Sequence, residues 1–320
     1  LNTDRWRAVD VDGLLNDAAL AVIDAVEDAF GPAARGSSIG AVIARNDIRG
    51  QSTAEVKSAT LTLTDALTIK AIDEALLVAD NRARVNADSV AANVVISTNT
   101  MLGGSQASLL SSTITIGGDL RVQADTAATL IAQVDSRLQA SVSVGVTLAF
   151  NTIGYRPANL FENLVDTLLG TELGGLETLK TLAQIKNSSL EVGGDVLVQA
   201  SADGSISAHI ANQALALDLS VGADSGAATT LTVAPVLALN RVAASTEARW
   251  ALGNNGDEAN IEGNLKVLAA GDTDITARVS ATAASAGVSQ SGAAKALSFA
   301  VSMARNAISN TVVAEVLDDA

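Results

Sequence analysis

The chain of 320 residues contains no cysteine, a single histidine, three prolines, and only one tyrosine, two tryptophans and four phenylalanines. Without cysteine there are no disulfides and no thiolate-held metal. So few aromatic residues argue against the round, aromatic-filled core of a compact enzyme, and against the sugar platforms of polysaccharide-cleaving β-helices. His209 lies in "SISAHIANQ", where Ile206, Ala208 and Ile210 alternate and face one way. It therefore reads as an outward strand residue rather than a ligand or general base. No run reaches the ~18 apolar residues of a membrane helix, and no signal-peptide pattern opens the sequence, so membrane insertion is not expected. The first residues, "LNTDRW", lack an initiator Met. The expectation is a processed piece or a segment of a longer chain.

What is present is a 48% hydrophobic content carried by Ala, Val, Leu and Ile, with a net charge of −15. Small and β-branched residues of uniform size suit thin stacked layers. An acidic surface repels nucleic acid and anionic lipid and keeps an apolar protein in solution. Acidic, cysteine-free, aromatic-poor and lysine-poor composition together predict an extracellular or cell-surface bacterial location.

Two phrases recur along the chain. "TITIGGDLRVQA" (113–124), "SLEVGGDVLVQA" (189–200) and the looser "NIEGNLKVLA" (260–269) place Asp119, Asp195 and Asn264 after a glycine. "LTDALTIKA" (63–71) is a weaker copy in which Asp65 is displaced by one residue. The second phrase is an alternating strand ending in Asn, at Asn46, Asn99, Asn151, Asn240 and Asn306, with spacings of 53, 52, 89 and 66 residues. The segment 157–186, of different character, accounts for the long interval. "TAEV" (53–56) and "VAEV" (313–316) follow an Asn at similar distances and support the phase.

Self-similarity at a fixed period is the signature of a repeat architecture. In "ASVSVGVTLAFN", Val142, Val144, Val146, Leu148 and Phe150 alternate with small or polar residues, the period-2 pattern of a strand with one buried face. The expected interior set comprises Val144, Val146, Leu148, Val198, Val267, Phe299 and Val301. Gly-Gly followed by Asp or Asn reads as a corner, as do "GADSG" (222–226), "GNNGDE" (253–258) and "SQSGAA" (289–294). Strand and corner in repetition predict an all-β fold: a right-handed parallel β-solenoid (β-helix) with long coils and short helical insertions on its side. One long coil per repeat is favoured over two ordinary ones, because each landmark occurs once per unit. The five Asn are expected at equivalent corners, with their side-chain amides bonded to backbone or to one another from coil to coil. A glycan-acceptor role is the alternative, but only Asn187-Ser188-Ser189 has the acceptor spelling.

Four regions follow: 1–36, an edge or insert helix; 37–156, solenoid units; 157–186, a helical insertion; and 187–320, further solenoid units. Within the first, "VDGLLNDAALAVIDAVEDAFGP" (11–32) puts Leu15, Ala19, Val22, Val26 and Phe30 on one helical face. "ANLFENLVDTLLG" and "GLETLKTLAQIK" form the two helical stretches of the insertion. These helices are expected to cover a face or edge of the sheets, with contact to a partner or sister molecule as the alternative.

No phosphate loop, nucleophile elbow or zinc motif occurs. Asp257, Asp272 and Asp274 could hold calcium through "GNNGDE" and "AGDTD", but the Gly-rich nonapeptide of calcium β-rolls is absent and solvated corners are the simpler reading. No catalytic residues and no cofactor are therefore expected. The combination of the Gly-Gly-Asp phrase, the Asn-ended strand and "GYRPANLFENLVDTLLG" resembles the repeat regions of giant bacterial secreted and surface proteins, of the filamentous-haemagglutinin-like and autotransporter-type adhesins. The resemblance covers roughly residues 37–320. It implies a structural or adhesive stalk, fibre or surface coat. The partners implied are further coils in head-to-tail continuation, within one chain or between copies, and cell-surface or matrix polysaccharide. A self-assembling filament subunit and a polysaccharide-active enzyme are the alternatives.

Overall fold

The computed structural model describes residues 36–156, 175–220, 228–253, 258–289 and 292–318. The amphipathic segment 11–32, the first helical stretch of the insertion and the "GADSG" corner lie outside these residues, as do Asp257 and most of "GNNGDE". Sixteen strands occur and no helix is present among the described residues. All ladders between strands are parallel, consistent with a parallel β-solenoid.

Each circuit of the chain contributes to three sheets. The first sheet stacks β1 (Ser38–Ile48), β5 (Val90–Met101), β9 (Val142–Ile153), β13 (Ala228–Leu252) and β16 (Ala294–Asp318). It continues sideways through β2 (Gln51–Lys57), β6 (Gly104–Leu110) and β10 (Leu179–Lys186), which stack onto the second half of β13. The second is narrow: β3 (Thr60–Leu63), β7 (Thr113–Ile116), β11 (Ser189–Val192) and β14 (Ala259–Ile261). The third holds β4 (Leu67–Asn86), β8 (Leu120–Ala140), β12 (Val196–Ser220) and β15 (Leu265–Ser289). Asn46 is the register partner of Asn99, so one repeat makes one coil and equivalent residues are neighbours across a single strand pair. Their separation is then the ~4.8 Å strand spacing, not twice that.

Long coils need long strands, and the sequence shows where these break. After β1 and β5 the first sheet is interrupted at Arg49-Gly50 and Leu102-Gly103, whereas Val242-Ala243-Ala244 lets β13 run straight through. The inserted segment leaves the coil at this same break, two residues beyond Asn151, so it enters where the sheet is already open. The step from Gly104 to Lys180 is 76 residues and exceeds the 52-residue step from Val90 to Val142 by 24. The 89-residue step from Val142 to Leu231 adds 13 more, which fall between β12 and β13. Two insertions therefore lengthen this interval. The stretch "TLAQIK", expected to be helical, is part of β10: it pairs with β6 and β13, and Leu182 and Ile185 are buried. The pull of two ready-made strand neighbours overrides its local helical spacing.

The interior has two parts of different character. Where the narrow sheet closes the coil, bulky aliphatics and one aromatic fill a three-sided core: Leu109, Ile114, Leu120, Val122, Ile185, Val196, Val198 and Trp250, with Val267 packed against them. The Gly-Gly-Asp phrase feeds this core, and Val198 is inside as expected. Between the first and third sheets the interior is thin. Around the asparagines the inward residues of β5, β9 and β13 are short or polar: Val95, Ser97, Asn99; Thr147, Ala149, Asn151; Val236, Ala238, Asn240. Two residues further on, Met101, Ile153 and Val242 pack against Leu77, Leu130 and Ile206 of the third sheet.

This parity corrects the expectation for the alternating strand. Val144, Val146 and Leu148 lie on the opposite side of β9, facing away from the third sheet, as do Phe299 and Val301 on β16. Hydrophobic alternation selected the bulkier row as interior, but the two sheets approach too closely for it. Leu148 and its neighbours are nevertheless buried, so the first sheet is covered on both faces in its middle.

Ala149 faces inward and is fully buried, with Ser97 and Ala238 as its register partners. Ala149→Leu should overpack the thin interior and lower stability by about 1–3 kcal/mol in urea unfolding. A neutral substitution would place position 149 on the outer face.

Candidate functional site: polar ladders and unpaired faces

The longest polar feature in the described residues is a column of asparagine. Asn46 Nδ2 donates to Asn99 Oδ1 (2.8 Å), Asn99 to Asn151 (2.8 Å), Asn151 to Asn240 (2.9 Å) and Asn240 to Asn306 (3.0 Å). Each amide also donates across the interior to a backbone carbonyl of the third sheet. The acceptors are Val78 O (3.0 Å), Ile131 O (2.9 Å), Ser207 O (3.3 Å) and Thr276 O (3.4 Å). The column thus joins adjacent coils along the axis and ties the two broad sheets across it. Asn99, Asn151 and Asn240 are wholly buried, where an unpartnered amide is costly.

These asparagines are not at corners. All five sit within strands, and none has a positive φ. The left-handed corners are instead Ser58, Ser111 and Asn187, at φ 48–51°, between the first and second sheets. There a second column forms that the sequence reading overlooked. Ser112 Oγ accepts from Ala59 N (3.1 Å), and Ser188 Oγ accepts from Ser112 N (3.1 Å). The same hydroxyls donate to Leu110 O (2.8 Å) and Lys186 O (3.0 Å). The "SS" and "NSS" spellings at 111–112 and 187–189 were its signal. Asn187, the residue with the glycan-acceptor spelling, is one of these corners.

Asp119, Asp195 and Asn264 do stand at bends, between the second and third sheets. Asp119 Oδ1 accepts from Asp195 N (3.1 Å), and Asp195 Oδ1 accepts from Asn264 N (2.7 Å) and Nδ2 (3.0 Å). The backbone bond from Asn264, then its side-chain bond, hold the Asp195 carboxyl below the ordinary aspartate range. The preceding glycines are required by close approach, not by a left-handed φ. A Cβ on Gly193 would stand 2.7 Å from Gly117 O of the coil below. In the first coil Ala66 takes the place of the aspartate, and Asp65 lies one residue earlier.

Two further surfaces are chemically distinct. The outer face of the first sheet carries an apolar band in which Ile96, Leu148, Phe150 and Leu239 are at most 4% exposed. Its ends are open: Ile39 and Ile43 on β1 and Leu297 and Phe299 on β16 are 40–64% exposed. At the band's margin the buried Arg241 guanidinium lies 4.5 Å over the Tyr155 ring. Tyr155 bridges Leu176 in antiparallel fashion and Arg156 pairs with Glu177 (3.0 Å), so the base of the insertion closes as a hairpin. Gly154 at φ 74° lets this base press on Ala243 O of β13.

The other surface is the end of the stack. Among the described residues no strand lies beyond β14 and β15 or beyond β16, and β1 to β4 are likewise unpaired on their far side. Interior-facing Ile308 and Val316 of β16 are 54% and 60% exposed.

The remaining candidate residues do not converge. His209 is exposed on the outer face of the third sheet, in the row of Gln133 and Arg278. Asp272 and Asp274 point outward on β15, and Asp257 lies outside the described residues. No group of three His, Asp or Glu is placed to hold a metal ion among the described residues. The surface ion pairs Arg82–Asp80, Arg121–Asp119 and Arg137–Asp135 join residues two apart in the chain, an exposed geometry of small energetic weight.

Comparison of the chain with family models, with curated proteins and with solved structures returned no match.

Removing one rung tests the column. Asn151→Leu should strand the amides of Asn99 and Asn240 and lower stability by about 1–3 kcal/mol, against a smaller loss for the end rung Asn46→Leu. Equal, negligible losses at both positions in urea titrations would contradict the ladder.

Proposed function

We propose that this chain is a structural segment of an extracellular bacterial surface protein, a right-handed parallel β-solenoid acting as stalk, fibre or coat. The observation that carries the reading is the asparagine column, which passes through five strands of the first sheet without a break. Such a column rewards length: each added coil contributes a strand pair and a rung, and none closes the structure. The right hand follows from the general preference of parallel crossovers. The acidic segment 11–32 and the first part of the insertion serve as helical cover on the side. Their apolar stripes suit the band on the outer face of the first sheet.

Adhesion to cell-surface or matrix polysaccharide fits the outer rows of the third sheet, where Gln123 and Gln199 are joined by a hydrogen bond (3.2 Å) beside Ser201 and Ser205. A polysaccharide-active enzyme is the least favoured reading: the carboxylates are engaged with basic residues in exposed pairs along a strand or between adjacent coils, as in Arg82–Asp80 and Arg249–Glu315. Filament assembly from separate copies is the second reading, favoured by the exposed Leu297 and Phe299 on the last strand.

Antibodies raised against residues 36–318 should decorate intact cells of the source bacterium, and external protease should remove the signal. Native material should sediment as an elongated particle. Label confined to the cytosol, or a compact capped monomer, would overturn the proposal.

A further inference from the structure

The outer face of the third sheet carries a groove built by the strand register. Arg84 of β4 stands beside Arg137 of β8, followed by Gln213 of β12 and Thr282 of β15, as one row across four coils. Two residues further on, Asn86, Gln139 and Leu215 form a second row. The trench between the rows has a volume of about 350 Å³, with Leu138 and Ala214, whose side chains point inward, as its floor. Four strands at ~4.8 Å spacing make it about 14 Å long, running along the stacking axis.

Its chemistry departs from that of the chain. Acidic residues outnumber basic ones by 35 to 20 in the whole sequence, yet two of the ten lining residues are arginine and none is Asp or Glu. Like charges directly opposite on neighbouring strands repel, so the Arg84–Arg137 pairing is unfavourable where it stands. Other arginines of this face have carboxylates close by: Arg82 pairs with Asp80 at 3.2 Å and Arg121 with Asp119 at 2.9 Å. Arg137 has only a longer bond to Asp135, at 3.4 Å, and Arg84 has no ion pair or hydrogen bond from its side chain among the described residues. The side-chain amides of Asn86, Gln139 and Gln213 are likewise uncommitted there, whereas those of Gln123, Gln184 and Gln199 are bonded.

We propose that this groove is a binding site for an acidic polysaccharide. Its carboxylate or sulfate groups seat on Arg84 and Arg137, and its hydroxyls on the amides of Asn86, Gln139 and Gln213. A guanidinium offers paired donors to a carboxylate or sulfate, and an amide both donates and accepts, as a sugar hydroxyl does. An acidic peptide fits less well. Between the paired strands β8 and β12 no free backbone edge is open to it, and the lining offers an apolar side chain little beyond Leu215 and Ala284. With no aromatic residue in the lining, recognition rests on charge and hydrogen bonds, so added salt weakens it. The proposal rests on the adhesive reading above and names the ligand class for it.

A fluorescein-labelled oligogalacturonate is the probe, with binding to the 320-residue protein followed by anisotropy. A sulfated galactose oligomer and the methyl-esterified, uncharged form of the first probe are titrated beside it. Saturable binding of at least one acidic oligomer is expected, and the tighter of the two identifies the acid group. The ester should bind at least about tenfold more weakly, and Arg84→Gln should weaken binding about tenfold. Arg121→Gln removes the same charge from the same face outside the groove and should change affinity less than about twofold. Because it relieves the opposed pair, Arg84→Gln should also leave the urea midpoint unchanged or raise it.

Absence of binding by both acidic oligomers, equal losses in Arg84→Gln and Arg121→Gln, or tighter binding of an oligoglutamate peptide would each overturn the proposal. So would a lowered urea midpoint for Arg84→Gln, which would make Arg84 a structural residue. Surface labelling and elongated particles found despite such a failure would leave the structural reading standing without this ligand. Binding by a protein confined to the cytosol would do the reverse.

Discussion

Parallel strands at ~4.8 Å separation are the constraint on which the rest of this protein depends. In-register stacking sets each residue over its equivalent in the next coil, so an inward polar residue that recurs in every repeat meets a copy of itself. Asparagine suits this position because one side chain holds both a donor and an acceptor, and a second hydrogen remains for the opposite sheet. Asn99, Asn151 and Asn240 use both hydrogens in this way within a wholly buried interior. An aspartate column there would stack like charges. At the solvated bend, Asp119 and Asp195 are tolerated because each carboxylate accepts the next coil's backbone N–H.

The ladder also explains the odd composition. A hydrogen bond from the asparagine amide to the third sheet requires the two broad sheets to lie close at the column, where short residues such as Ser97, Ala149 and Ala238 stand beside it. Bulkier aliphatics pack to one side of it, where Met101, Ile153 and Val242 meet Leu77, Leu130 and Ile206, as well as in the three-sided core and on the outer face of the first sheet. Phe150 is on the outer face, Tyr155 is under Arg241, and Trp250 lies in the three-sided core. Burial on both faces shields the middle of the first sheet from solvent.

Much of this architecture was legible in the sequence. Residues recurring once per unit marked single long coils, and the repeated Gly-Gly-Asp phrase marked a true bend with Val198 inside. The asparagine spacing identified the column itself. Its setting was misread, because a recurring Asn suggests a left-handed corner, while these lie flat within strands. The choice of face also failed. Alternation reveals two faces of a strand but not which one meets the interior when both are covered, and hydrophobicity pointed to Leu148 when the inward residue is Ala149. "TLAQIK" was assigned to a helix because local spacing knows nothing of β6 and β13 beside it. The serine column went unnoticed because only Ser112 and Ser188 form it, Ala59 standing in their place in the first coil, and because the corners before them, Ser58, Ser111 and Asn187, share a backbone conformation rather than a residue type.

The central claim, that one repeat makes one coil, is open to a direct measurement. Methyl-labelled protein in solution should give strong nuclear Overhauser cross-peaks between Val122 and Val198 and between Val198 and Val267, which are register partners in adjacent strands. Ile114 and Leu190 should behave likewise. Strong contacts along both rows are the result this account predicts. Two coils per repeat would separate equivalent methyls by about 10 Å with another strand between them, so absent cross-peaks within these pairs would contradict it.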